Sequence, residues 1–120
     1  MGKTRFNLPY EKITATKWDS LGSTMKLSKA LNMGWNSVRF TINGHGWLCY
    51  RCCDGTYDLL KAGRGPDLLE FFRITEKQAL SLDITVDDDY FEDSDGYPCV
   101  FATVELTDHN KKILGPNFTN

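Results

Sequence analysis

The chain has 120 residues, 14 Lys and Arg against 16 Asp and Glu, 41% apolar and 25% charged residues, which is the composition of one soluble globular domain. No segment reaches the roughly 18 to 20 uninterrupted apolar residues of a membrane span, and Met1 to Tyr10 has no apolar signal core. A cytoplasmic protein with a single domain over residues 1–120 is therefore expected. A domain of this size folds without metal or disulfide staples, so its four cysteines are not explained by stability alone.

Charge is unevenly placed. Residues 1–64 hold ten Lys/Arg and four Asp/Glu, whereas residues 65–120 hold four and twelve. Such polarity suits a basic face for nucleic acid, an acidic face for a basic partner, or pairing between the two halves inside one domain.

Ile13 to Trp18 alternates apolar and polar residues and reads as a short strand or arm. Ser23 or Thr24 is placed to cap a helix through Met33, with Leu27, Ala30 and Leu31 as its apolar stripe and Gly34 as its stop. Val38 to Ile42 and Trp47 to Cys52 flank the turn residues Asn43-Gly44-His45-Gly46 and form the clearest hairpin. A short helix is expected over Tyr57 to Ala62. After the break at Gly63-Arg64-Gly65-Pro66, a second helix should start near Asp67, with Leu68, Leu69, Phe71 and Phe72 as its core face. Thr75 and Gln78 have capping-box spacing, which predicts a helical turn over Glu76 to Leu80.

From Leu82 the period becomes two, with Leu82, Ile84 and Val86 on one face. A turn at Asp93 to Gly96 leads to a second run, Cys99 to Leu106, expected to pair antiparallel with the first. Asp108 to Lys111 reads as a further turn and Lys112 to Leu114 as a short last strand. The expected fold is α+β: a mainly antiparallel sheet with two or three short helices.

Three constellations could carry chemistry. His45, Cys49 and Cys52, with Cys53 or Cys99 as fourth ligand, offer the donors of a Cys3His zinc site. The stretch His45 to Cys53 resembles the second half of the zinc ribbon of phage and bacterial primases. The first ligand pair of that ribbon would fall near Ser28 and Leu31, which supply no ligand. The competing reading makes the cysteines small buried hydrophobes and His45 a turn residue.

The hairpin is the second. With a three-residue loop, Val38, Phe40 and Ile42 share a face with Leu48, Tyr50 and Cys52, and Arg39 meets Arg51 on the other. Facing arginines need an anion, so Arg39, Trp47 and Arg51 could take the phosphates and a base of single-stranded nucleic acid, unless Asp or Glu of the acidic half pairs with them.

The third is the run Asp87, Asp88, Asp89, Tyr90, Phe91, Glu92, Asp93, Ser94, Asp95, with six carboxylates around two aromatic rings. Aligned to a calcium loop through Asp93, Asp95 and Gly96, it has Phe91 at the first ligand position and Ala102 at the last, which does not fit. It reads as a solvated loop or as an acidic aromatic patch for a basic protein surface. Phosphate-loop, dinucleotide, HNH-nuclease and Cys-His nucleophile patterns are incomplete, so enzymatic activity is unsupported. The favoured expectation is a small non-catalytic binding protein, of a size that suits a phage or mobile-element inhibitor. Its partner would be a protein with a basic surface. The alternative is a single-stranded nucleic-acid-binding domain, with zinc as a stabilising cofactor.

Overall fold

A computed structural model describes residues 19–42, 44–52 and 54–115. In chain order the elements are β1 (Thr24–Lys26), α1 (Leu27–Leu31), β2 (Ser37–Ile42), β3 (His45–Arg51), β4 (Tyr57–Lys61), α2 (Leu68–Phe72), α3 (Glu76–Leu80), β5 (Asp83–Glu92), β6 (Pro98–Thr103) and α4 (Asp108–Leu114). The expected strand over Ile13 to Trp18 lies outside the described residues.

The six strands form one sheet in the order β1-β5-β6-β2-β3-β4. Every neighbouring pair is antiparallel except β2 with β6, which are parallel. The α+β reading stands at this level, but the sheet is mixed, and among the described residues four short helices accompany it. Counting the pairings outward, β1 and β2 run in the same direction with the β5–β6 hairpin between them. The segment β1-α1-β2 is thus a split β-α-β unit.

One apolar face of the sheet meets the helices. Val38, Phe40 and Ile42 of β2, Trp47 and Cys49 of β3, Leu59 of β4, Ile84 and Val86 of β5, and Val100 and Ala102 of β6 are buried there. Leu27, Ala30 and Leu31 of α1, Leu68 and Phe72 of α2, Ala79 of α3 and Leu114 of α4 close over them. Each large aliphatic side chain buried this way contributes roughly 1.5 to 3 kcal/mol. The indole N–H of Trp47 is buried without a hydrogen-bond partner among the described residues, its ring packed among Phe71 and Phe72 at centroid distances of 5.4 and 5.7 Å.

Two helix starts follow their sequence signals. The Asp67 carboxylate accepts from the Glu70 N–H at 2.8 Å, and Thr75 and Gln78 form the reciprocal capping box. Other expectations are corrected. Residues Thr24–Lys26 are a strand paired with β5, so the first helix begins at Leu27 and lacks a side-chain cap. The segment Tyr57–Lys61 is not a helix but the edge strand on β3. Asp108–Leu114 is not a turn and a strand but a helix, capped by the Thr107 hydroxyl, which accepts from the Asn110 N–H at 3.2 Å.

Candidate functional site

The hairpin register decides which residues share a face. Ile42 lies opposite His45, Phe40 opposite Trp47 and Val38 opposite Cys49, so the connection is two residues long rather than three. Gly44 takes the left-handed conformation such a connection requires, at φ 84°. Arg39 is therefore opposite Leu48 and shares its face, while Arg51 lies with the opposite parity, facing Tyr57. Trp47 is in the core, 1% exposed. The expected constellation of Arg39, Trp47 and Arg51 on one surface does not form.

The cysteines and His45 are also dispersed. His45 stacks on Phe71 at 5.0 Å, and Cys49 sits in the core, where burial drives its thiol pKa far up. The Cys52 thiol donates to the Asp58 carboxylate at 3.5 Å, and the Cys99 thiol to the Tyr97 carbonyl at 3.5 Å. Cys53 lies outside the described residues. Among the described residues no three His, Cys, Asp or Glu side chains group in a way that could hold a metal ion.

The acidic run is not a loop. Asp87 to Glu92 is the outer half of β5, which pairs with β6 through Tyr90, Phe91 and Glu92 after an irregularity between Val86 and Tyr90. β1 accompanies β5 only as far as Thr85 in its register. The two rings point to opposite faces. Tyr90, 43% exposed, packs on Trp35 at 5.9 Å, whereas Phe91 lies against Phe101 at 4.7 Å and under the Arg39 guanidinium at 5.0 Å.

The carboxylates divide into two sets. Asp93 is structural: its Oδ1 accepts from the N–H groups of Asp95 and Tyr97, and its Oδ2 from the Asn36 amide at 2.8 Å. Asp87 accepts from the Thr103 hydroxyl at 3.2 Å. Asp88, Asp89, Glu92 and Asp95 are exposed. Among the described residues no carboxylate from Asp87 to Asp95 forms an ion pair. The anionic surface is thus narrower than the sequence run.

Sequence reasoning missed Phe101 and Leu60 and set Leu48 on the face of Val38, Phe40 and Ile42, whereas the registers put all three on the face away from the helices. The available signal was parity: Val100 and Ala102 are core residues, so Phe101 between them must point outward. Within β3, Tyr50 lies opposite Asp58 of β4, whose carboxylate raises the tyrosine hydroxyl pKa above the ordinary value. No helix among the described residues is long and apolar enough to cross a membrane. Comparison with protein-family models, curated proteins and solved structures finds no match.

Proposed function

We propose that the protein is a non-catalytic binding protein that presents the outer half of β5 and the following turn to a basic surface of a protein partner. The observation that carries this reading is the exposed set Asp88, Asp89, Glu92 and Asp95, none of which has a cation within ion-pair distance among the described residues. Carboxylates without a cation partner among the described residues keep their field for an approaching cation and give specificity and association rate. Tyr90 between them adds an amphipathic ring of the kind enriched at interface centres.

The test is capture of proteins from the native host by immobilised wild-type chain and by the variant Asp88→Asn, Asp89→Asn, Glu92→Gln in parallel. Partners retained by the wild type should be lost from the variant and should elute early as salt rises. An identical retained set overturns the reading. The nucleic-acid alternative finds less support, because it relied on Trp47 beside paired arginines. A single-stranded oligonucleotide titrated at two salt concentrations should show no salt-sensitive binding.

A further inference from the structure

The described residues begin beside the acidic half of β5. The Gly22 N–H donates to the Val86 carbonyl at 2.7 Å, and a Cβ on Gly22 would stand 3.2 Å from the Asp88 carboxylate. Two residues earlier, the Ser20 hydroxyl accepts from the Trp35 indole at 3.0 Å, and the Trp35 ring packs on Tyr90 at 5.9 Å. Tyr90 and Glu92 are alternate residues of one strand and so share that face. Residues 19–22 therefore run past Asp88 and Tyr90, and the chain preceding Asp19 departs from this corner.

Charge on the two sides of that junction is opposite. Residues 1–18 hold Lys3, Arg5, Lys12 and Lys17 against Glu11, a net charge of +3. Facing the junction are Asp88, Asp89, Glu92 and Asp95, exposed and without an ion pair among the described residues. Lys17 is two residues from Asp19, which puts their Cα atoms at most about 7 Å apart, and Lys12 is seven residues away, at most about 25 Å. Asp88 to Glu92 spans only about 13 Å of strand, so both lysines can reach it. A tether this short holds the cations at an effective concentration of millimolar order beside the carboxylates.

We propose that residues 1–18 are an internal cationic segment that lies along the acidic half of β5 and competes there with the basic partner. The competition rests on the partner reading above, whereas the contact itself does not. Exposed ion pairs are individually weak and screened by salt. A partner that brings more cations, better placed, therefore displaces the segment, and a weakly basic protein is held off. For the same reason the contact adds little to the melting temperature, and it is read by proximity and by competition.

The test uses the full chain in two arms. In the first, a carbodiimide joins lysines to neighbouring carboxylates and peptide mapping locates the links. Lys12 or Lys17 should be joined to Asp88, Asp89 or Glu92 within monomeric protein, with a yield that falls as salt rises. Absence of these links, or their presence only in a cross-linked dimer, overturns the proposal. In the second arm, fluorescent octalysine stands in for a basic surface. Lys3→Gln, Arg5→Gln, Lys12→Gln and Lys17→Gln together should tighten its binding at least about threefold more than a control of equal net charge. That control is Lys29→Gln, Lys77→Gln, Lys111→Gln and Lys112→Gln, all at exposed positions. Adding Asp88→Asn, Asp89→Asn and Glu92→Gln should abolish the gain. Equal gains in the two lysine variants overturn the competition. Octalysine binding that is indifferent to the loss of those three acids overturns the partner reading instead, and the cross-links then decide the contact alone.

Discussion

The carboxamide of Asn110 grips the backbone of Asp83 at both ends. Its Oδ1 accepts from the Asp83 N–H and its Nδ2 donates to the Asp83 carbonyl, each at 2.9 Å, while Nδ2 also donates to the Glu105 carbonyl at 2.8 Å. Asn110 is fully buried, so these bonds join α4, the start of β5 and the exit of β6 without competition from water. Asn110→Ala leaves backbone groups unpaired and should cost about 2 to 4 kcal/mol. Urea denaturation checks it, and a loss below about 1 kcal/mol would mean that water replaces the amide.

Asp93 and the exposed acids of β5 should respond in opposite ways. Asp93→Ala removes three hydrogen bonds to a carboxylate and is expected to destabilise by about 2 to 3 kcal/mol. Neutralising Asp88, Asp89 and Glu92 removes like-charge repulsion and should leave the melting temperature unchanged or raise it by a few degrees. Thermal denaturation of the two variants side by side separates the structural carboxylate from those available to a partner.

The residues that did and did not announce themselves share a logic. Thr75 and Gln78, Asp67, and the alternation Leu82, Ile84, Val86 are local patterns whose physical cause lies within a few residues, and each appears as read. Tyr57–Lys61 is a strand because β3 offers a free edge, which no spacing within those residues reveals. The parallel seam of β2 and β6 joins Arg39 to Phe101, 62 positions along the chain, and has no local signature. Two misreadings had signals at hand: Asn43-Gly44 is the strongest two-residue hairpin turn, and Thr107, the lysines 111 and 112 and Gly115 mark the start, last turn and end of α4. The acidic strand was obscured by composition. Three consecutive aspartates are poor strand formers, and they fall in the irregularity between Val86 and Tyr90, with β6 paired to the residues on either side of them.

Thiol chemistry should report burial. Cys49 and Cys99 are 0% and 1% exposed, and desolvation raises the pKa of both. Cys52 is half-buried at the end of β3. Alkylation of the native protein followed by peptide mapping should modify Cys52 well before Cys49 and Cys99, which react only as the chain unfolds. Rapid modification of Cys49 in the native state would contradict the packing of β3.

The turn after β3 predicts a pH effect of defined sign. The Thr56 hydroxyl and N–H both donate to the Asp54 carboxylate, at 2.7 and 3.1 Å, and hold its pKa below the ordinary aspartate value. Because the folded pKa is the lower one, the turn's contribution is complete above the unfolded value and fades as pH falls through the folded value. Carboxyl NMR titration should show the depression, and Thr56→Val should diminish it.

Arg73 ends α2 in the left-handed conformation at φ 58°, and among the described residues it is the one non-glycine there. Arg73→Gly relieves that strain at a position where left-handed residues usually are glycine, and should stabilise by about 0.5 to 1 kcal/mol in chemical denaturation.

The insertion of the β5–β6 hairpin between β1 and β2 governs when this molecule can form during synthesis. A ribosome that has released residues up to Lys61 has delivered both outer strands of the split unit and nothing to hold them together. The meander β2-β3-β4 is left with one side of β2 bare until β6 is made, and β1 has no mate until β5 is made. Closure is therefore late and nearly simultaneous along two seams, and a translation stall before Thr103 would leave an emerging chain with exposed strand edges and an uncovered apolar face for chaperones to shield.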